Sequence, residues 1–568
     1  MRKSIRRTAV LVAVTVLLSC TVACADPDRY DVIIRGGQVI DGSGAPGIKA
    51  DVAINDDRIA AIGELAGAHA DIEINAAGLV VAPGFINMLS WAVDSLVRDG
   101  RGLSDIAQGV TLEVFGEGWS MGPIADTPET REMLSNFLEG DYKELPWTTL
   151  GGYLEFLENK GVSPNVASFV GATTLRIHEI GFDDRPPTPD ELENMKALTR
   201  QAMKEGAMGL GSSLIYPPAF FASTDELVEL ARVVGEYDGM YISHMRSEGN
   251  RIEKSVEELI TIAREGDVSA EIYHLKMAGQ QNWDKLDAVV EMIETARRQG
   301  LNITTDMYTY VAGGTSLSAC FPPWASDGGN DALLERLKDP ASRSRIVEAM
   351  RSDADDWENL YFGAGPGGVL LAETGESALQ PYVSKTIAQI AADRGSSPED
   401  TVVDLVIESG NTIGAIFFLM DEKNVQKQIR LPWMSFGSDA AAVAPEGDVL
   451  NQGAHPRTYG NFARLLGHYV RDKQIISLEE AIYKLTSLPA TNLKIRDRGL
   501  LAEGYLADIV VFDPDTIADH ATFENPHQLA TGVLHVFVNG EQVLRDGQHT
   551  GALPGRVVRG PGYQPDPG

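Results

Sequence analysis

Residues 240–274, MYISHMRSEGNRIEKSVEELITIAREGDVSAEIYH, contain the pattern on which the fold depends. A short apolar strand ends at His244, a helical stretch runs from about Arg251 to Glu265, and a second apolar strand ends at His274. This strand–helix–strand order is typical of a βα unit whose two strands lie parallel and side by side. We therefore expect both histidines at the carboxyl ends of neighbouring strands.

The same unit recurs on both sides of this stretch. Capping boxes at Thr188 and Ser223 predict two further helices, since each places a glutamate three residues after a hydroxyl side chain. The recurrence predicts a closed (β/α)8 barrel of the TIM type over residues 83–495, with insertions. Further strands are expected at Asn165–Gly171, Met208–Gly211, Asn302–Thr305 and Trp433–Phe436.

The two flanks of this region carry short strands separated by turn signals. Residues 30–82 contain several such strands, and residues 496–550 contain more, including a hairpin signal at Asn539-Gly540. We expect them to form one small β-sandwich domain from both ends of the chain, with residues 551–568 as a C-terminal tail.

Residues 1–25 are predicted to be an export signal. A basic start is followed by the apolar run Ala9–Leu18, which is too short to span a bilayer. Leu17-Leu18-Ser19-Cys20 resembles a lipoprotein processing site with Cys20 as the lipidated residue, whereas Ala23-Cys24-Ala25 resembles an ordinary cleavage site. The protein is therefore expected to be exported, either soluble in the periplasm or membrane-anchored through Cys20.

The bulk composition limits the partners. The formal net charge of -33 argues against binding to nucleic acid or to anionic lipid. Only three cysteines are present and two lie in the leader, so no disulfide framework is expected. Cys320, the third, is predicted to be a buried small apolar residue.

Three side chains at predicted strand ends indicate metal chemistry. His244 and His274 on adjacent strands are better explained as metal ligands than as isolated histidines. Asp439 directly follows the strand Trp433–Phe436, where a carboxylate can be a ligand, a general base or a helix cap. Beside a histidine pair, Asp439 becomes a candidate proton shuttle.

Several longer motifs carry a specific resemblance. They are VAPGFI at 81–86, SLIYPP at 213–218, YISHMRSEG at 241–249, HLKMAG at 274–279, GSD at 437–439 and HPRTYG at 455–460. Their type and order, from about residue 30 to 550, resemble the D-aminoacylase (N-acyl-D-amino-acid deacylase) branch of the amidohydrolase superfamily.

The resemblance implies roles for individual residues. His244 and His274 correspond to imidazole ligands of a tightly held zinc ion, and Asp439 corresponds to the catalytic aspartate. Lys276 and Arg457 correspond to cations that grip the substrate's α-carboxylate, and Tyr308 or Tyr310 to a tyrosine that orients it.

Two departures from the family pattern bear on the metal. Leu89 and Trp91 replace the two histidines of the first strand, so the second metal position is expected to be absent or weakened. Gly118 stands where the family has a cysteine ligand; the adjacent Glu117 is the predicted third ligand, with Glu113 as the alternative. A further family histidine, with a role around the reacting carbonyl, is also missing near residues 171–176.

The sequence thus predicts a hydrolase with one zinc ion per subunit, held by Glu117, His244 and His274. Water activated by the metal would attack a linear amide, foremost a small-molecule N-acyl-D-amino acid, with Asp439 moving the proton. Two alternatives remain open. One is another amidohydrolase, such as a dipeptidase or cyclic amidase, and the other is a non-catalytic exported binding protein.

Overall fold

The computed structural model describes residues 29–125, 127 and 145–565. The predicted export signal lies outside these residues. Within them, no helix has both the length and the apolar character needed to cross a membrane. The strands are β1 (Arg29–Val39), β2 (Ile48–Asn55), β3 (Arg58–Gly63), β4 (His69–Asn75), β5 (Val80–Pro83), β6 (Phe85–Asn87), β7 (Val110–Phe115), β8 (Asn165–Ser168), β9 (Val170–Gly171), β10 (Gly209–Ser213), β11 (Met240–His244), β12 (Ser269–Ile272), β13 (Ile303–Met307), β14 (Ala312–Ser316), β15 (Val369–Glu373), β16 (Gly414–Phe418), β17 (Met434–Phe436), β18 (Ile509–Phe512), β19 (Val533–Val538), β20 (Glu541–Arg545) and β21 (Gln548–His549).

Helices connect most of these strands. The α-helices in the described ranges are Ser95–Arg98, Leu103–Ile106, Leu150–Lys160, Ala172–Glu179, Pro189–Glu205, Thr224–Gly235, Ile252–Gly266, Leu286–Arg298, Asn330–Lys338, Pro340–Met350, Leu360–Ala364, Ile387–Arg394, Pro398–Ser409, Glu422–Ile429, Arg457–Arg464, Leu478–Leu485 and Ser487–Asn492, and the last turns of Arg457–Arg464 continue into a π-helix over Leu465–Asp472.

Parallel strands form the central barrel. β9, β10, β11, β12, β13 and β17 make a six-stranded sheet, and β6, β7 and β8 make a three-stranded one. Only Phe169 separates β8 from β9, and its backbone N donates to Phe115 O at 2.8 Å, so the two sheets continue into each other. At the opposite edges Met88 N donates to Phe436 O at 3.2 Å and Asp439 N to Leu89 O at 2.9 Å. These bonds join β6 to β17 and complete the predicted barrel.

The helices around the barrel follow their sequence signals. Pro189–Glu205 begins with the complete predicted capping box, in which Thr188 and Glu191 bond reciprocally. The predicted box at Ser223 is only half formed, which corrects the prediction. Ser223 accepts from Glu226 N, but the Glu226 carboxylate pairs with the buried Arg176 at 2.8 Å and does not cap the helix.

Strands from both ends of the chain share one nine-stranded sheet, which contains β1–β5 and β18–β21. β5 joins the two sets because it pairs in parallel with β1 and antiparallel with β18. The chain then passes through Gly84 directly into β6. A Cβ atom at Gly84 would lie 2.1 Å from Thr111 Oγ1, so only glycine fits this junction.

Residues 551–565 follow this sheet and lie against the barrel. Val558 N donates to Val166 O at 2.8 Å, and Gly555 N donates to Val162 O at 2.7 Å. The part of the predicted tail that the structure describes is therefore packed on the barrel strands.

The large insertion between β13 and β17 forms a second layer with its own apolar core. Its antiparallel sheet has the order β14–β16–β15, and its core includes Leu317, Leu371, Val402 and Phe417. Cys320 is a free, buried thiol within this core, as predicted.

Candidate metal centre

Three predicted ligands come together at the carboxyl ends of the barrel strands. Glu117 follows β7, His244 ends β11 and His274 follows β12. Glu117 Oε1 lies 2.9 Å from His244 Nδ1 and 2.9 Å from His274 Nε2. All three side chains are buried. Their donor atoms lie within 4.8 Å of one another, which is close enough to share one metal ion.

The loop that carries Glu117 has no room for a side chain at the next position, where the family has a cysteine. Gly116 and Gly118 both have positive φ, at 107° and 74°. A Cβ atom on Gly118 would lie 2.5 Å from Ser213 Cβ. No side chain fits at Gly118, whereas Glu117 is long enough to reach the two imidazoles.

The donor set suits a zinc ion. Zinc sites are commonly built from imidazole nitrogens and carboxylate oxygens, with three protein ligands where a fourth position is left for water or substrate. Although burial raises the pKa of Glu117, the charges of His274 and His244 and their hydrogen bonds bring it well below its ordinary value. The lowered pKa favours the ionised form of Glu117, and a metal ion requires an ionised carboxylate.

The two replaced first-strand positions have different surroundings. Leu89 is fully buried in an apolar cluster with Ile86, Met88 and Leu112. Trp91 points its indole nitrogen at the metal centre, and its Nε1 donates to Glu117 Oε2 at 2.8 Å. Neither side chain can bind a metal, and Trp91 donates a hydrogen bond to a candidate ligand.

Glu248 is a residue of the centre to which the sequence assigned no role. Its Oε1 accepts from Lys276 Nζ at 2.7 Å and lies 3.0 Å from His274 Nδ1, while its Oε2 lies 3.5 Å from His244 Nε2. A carboxylate behind His274 orients that ring, as in many zinc sites, whereas His244 Nε2 is buried without a hydrogen-bond partner among the described residues. A carboxylate four residues after His244 was the available signal.

Asp439 lies beside these groups and is paired with Arg457. Arg457 Nη1 is 2.6 Å from Asp439 Oδ2, and the Asp439 side chain is 11% exposed. Burial raises the pKa of Asp439, and Arg457 acts in the opposite direction. The charges of Glu117, His274 and Lys276 also act on Asp439, so the predicted shuttle belongs to the same electrostatic unit.

Tyr308 lies between the two predicted substrate-binding cations. Arg457 Cζ is 4.6 Å from the centre of the ring and Lys276 Nζ is 5.6 Å from it. The Tyr308 hydroxyl and Arg457 Nε are buried without a hydrogen-bond partner in the described part of the chain. Tyr310 instead directs its hydroxyl to Asp519 at 3.3 Å, so Tyr308 is the tyrosine of this pair that faces the centre.

The alternative ligand Glu113 and the segment that lacks the family histidine both lie outside the ligand cluster. Glu113, the alternative third ligand, accepts from Asn87 Nδ2 at 2.9 Å inside the barrel and is not among the clustered donors. Arg176, in the segment that lacks the family histidine, is committed to its ion pair with Glu226.

A cavity of about 200 Å³ lies between the barrel and the insertion. Tyr216 lines it and packs its ring edge-on against His244, with 5.3 Å between the ring centres. Glu358 also lines it and accepts a hydrogen bond from Glu248 N. The described lining includes apolar residues such as Ile215, Phe321 and Leu333, and none of it is basic.

Comparison with known proteins agrees with this geometry. The chain is 35% identical to a D-aminoacylase of Alcaligenes xylosoxydans xylosoxydans over 538 residues, covering 94% of this chain and 98% of the relative. The chain belongs to the D-aminoacylase family. Within that family it is also 32% identical to the N-acyl-D-aspartate deacylase of the same organism, over 94% of this chain and 95% of the relative.

A family model and a solved structure of a relative with bound zinc also match this chain. Residues 384–544 match the model of an amidohydrolase family. The crystal structure of N-acyl-D-glutamate deacylase from Bordetella bronchiseptica, complexed with zinc and a phosphonate inhibitor, superposes with a TM-score of 0.77 at 30% identity. The match covers 94% of this chain and all of that one, so the barrel and the composite β domain are family features.

Proposed function

We propose that this protein is a zinc-dependent hydrolase that cleaves the linear amide of N-acyl-D-amino acids. The observation that carries the proposal is the buried cluster of Glu117, His244 and His274 at the mouth of a D-aminoacylase-family barrel. The three side chains fit zinc in charge, donor type and spacing.

The residues around the cluster would assist the zinc ion in the hydrolysis. Bound zinc would supply a water of lowered pKa and would polarise the amide carbonyl. Asp439 would accept the proton from the attacking water and return it to the leaving amine. Its pairing with Arg457 would hold the carboxylate in place between the two transfers.

Arg457 is the stronger candidate for holding the α-carboxylate of the substrate. It keeps a buried Nε without a partner in the described residues, and guanidinium groups match carboxylates well. Lys276 already donates to Glu248 and contributes positive charge from behind His274. Tyr308 would orient the same carboxylate through its free hydroxyl.

The cavity beside Tyr216 supports a preference in the substrate's side chain. It offers apolar walls and the carboxylate of Glu358, and no basic residue in its described lining. A second carboxylate in this cavity would be desolvated without a counter-ion, which is costly. We therefore propose that substrates have neutral or cationic side chains.

Metal analysis combined with a substrate panel tests the proposed reaction. Purified protein should contain about one zinc per chain and should release the amino acid from N-acetyl-D-methionine or N-acetyl-D-leucine faster than from the L-enantiomers. Less than about half an equivalent of metal and no turnover after zinc reconstitution would contradict it and favour a binding protein. Turnover of cyclic amides or dipeptides alone would favour another amidohydrolase.

We further propose that the protein is exported and anchored through Cys20 or released after Ala25. The basic start and short apolar run of the leader support this proposal. Metabolic labelling with a radioactive fatty acid would mark the wild type and not Cys20→Ser if the anchor is correct. Unlabelled protein in the periplasmic fraction would support the soluble form, and protein retained in the cytoplasm would contradict export.

A further inference from the structure

The two carboxylate oxygens of Glu117 have different partners. Oε1 lies 2.9 Å from a nitrogen of each histidine, whereas Oε2 accepts the indole N–H of Trp91 at 2.8 Å. Both residues depart from the family pattern, Trp91 at a missing histidine and Glu117 beside a missing cysteine. The two departures are thus in direct contact.

We propose that Trp91 is a positioning residue that holds Glu117 so that only Oε1 is presented to the metal. The inference rests on the proposed role of Glu117 as a zinc ligand. The loss of the first-strand histidine and the move of the third ligand to Glu117 then form one coupled change, in which Trp91 supports the new ligand.

The chemistry of the two side chains explains why such a support is needed. Glutamate has three rotatable side-chain bonds and two equivalent oxygens, so it can turn or bind through both oxygens where a cysteine cannot. An indole N–H is a donor only and never a metal ligand. The indole therefore fixes the ionised carboxylate without competing for the metal ion. A histidine at the same position would compete for it.

Trp91 is itself held firmly. Its backbone N donates to Ala440 O at 2.9 Å, at the bonds that join β6 to β17. Its ring packs against the apolar cluster around Leu89 and Leu112. On the other side of the ligand, Thr173 N donates to Gly118 O at 3.0 Å and fixes the loop after Glu117. Barrel backbone thus anchors both ends of the Trp91–Glu117 contact.

The test measures zinc affinity by competition with a chromophoric chelator on the full-length protein. Trp91→Phe removes the N–H and should weaken zinc binding about 10- to 100-fold, the usual effect of losing a group that orients a ligand. The visible spectrum of the Co²⁺-loaded variant should also change, because Glu117 is then free to bind through both oxygens. Trp119→Phe is the matched control, since Trp119 lies two residues beyond Glu117 and is 40% exposed.

A double-mutant cycle separates positioning from packing. In a Glu117→Ala background, Trp91→Phe should cause no further loss of affinity, because the group that it positions is gone. If Trp91→Phe does not fold, β-(3-benzothienyl)alanine at position 91 removes the N–H and keeps the two-ring shape. A melting curve of the zinc-free protein checks the fold of each variant.

The outcomes distinguish the two proposals. If Glu117→Ala binds zinc as tightly as the wild type, the ligand set is wrong and the proposed function fails with it. If Glu117→Ala binds zinc more weakly than the wild type but both substitutions at Trp91 leave affinity and spectrum unchanged, the positioning role is overturned and the ligand set stands. An equal loss from Trp91→Phe with and without Glu117 would also overturn it.

Discussion

Each carboxylate of the candidate metal centre has its own donor. Trp91 holds Glu117, Lys276 holds Glu248 and Arg457 holds Asp439. Although burial raises the pKa of Glu248, Lys276 and the two imidazoles hold it well below its ordinary value. Burial also raises the pKa of Asp439, and Arg457 lowers it against this larger effect. A neutral indole is the donor to the candidate ligand Glu117, and cations are the donors to Glu248 and Asp439.

Glu248 is the residue whose loss should affect the most neighbours. Glu248→Gln keeps the shape but leaves Lys276 as a buried cation without its counter-charge. We expect stability to fall by about 3–5 kcal/mol and kcat/KM to fall about 10- to 100-fold, since His274 also loses its orienting carboxylate. Denaturant unfolding and steady-state kinetics measure the two effects.

The control for this variant lies on the next helix. Glu257→Gln removes an exposed carboxylate nine residues further along the chain. It should change the free energy of unfolding by no more than about 0.5 kcal/mol and should leave kcat/KM unchanged. A Glu248→Gln protein with wild-type stability and turnover would show that Glu248 does not orient the centre.

At the scale of strands and helices, the sequence predicted most of what periodicity and chain order determine. The βα repeat predicted the barrel, and the predicted ends of two neighbouring strands, β11 and β12, located His244 and His274. The contact between Trp91 and Glu117 could not be predicted, because it joins the ends of two strands 26 residues apart and depends on their register. The same applies to Glu226, which forms an ion pair with Arg176 on another helix and does not cap its own helix.

The barrel strands also carry acids in their interior, with a consequence for stability. Glu113 on β7 is fully buried, and burial raises its pKa from 4.5 to about 7 despite hydrogen bonds from Ser90 and Asn87. Because the folded state binds this proton more tightly than the unfolded state, the contribution to stability is complete below about pH 4.5. It is lost as the pH rises from about 4.5 to about 7.

Glu113→Gln should therefore flatten the dependence of stability on pH. Between pH 5 and pH 8 the wild type should lose more free energy of unfolding than the variant, as measured by urea titration at each pH. Glu503→Gln, which changes an exposed carboxylate, should follow the wild type. Parallel curves for wild type and Glu113→Gln would show that Glu113 is ionised in the folded protein.

At the scale of the molecule, barrel and insertion both contribute to the cavity beside Tyr216. Tyr216 of the barrel and Glu358 of the insertion both line this cavity. Burial, and secondarily the charge of Glu248, raise the pKa of Glu358 to about 7. Above that pH the cavity carries a negative charge beside its apolar walls.

The cavity predicts a selectivity that increases with pH. N-acetyl-D-methionine should be hydrolysed at least about 10-fold faster than N-acetyl-D-glutamate, an energy difference of about 1.4 kcal/mol. The ratio of the two kcat/KM values should rise as the pH passes through about 7, and Glu358→Gln should remove that rise. A preference for the glutamate substrate would show that the cavity does not receive the side chain.

The shared nine-stranded sheet has a consequence for the order of synthesis. β5 is paired on one side by β1 and on the other by β18, which the ribosome makes more than 400 residues later. The sheet edge next to β5 therefore stays open until almost the whole chain has emerged, and an open edge invites pairing with other chains. A chaperone that binds extended segments would have its longest period of contact with the strands that are made first, β1–β5.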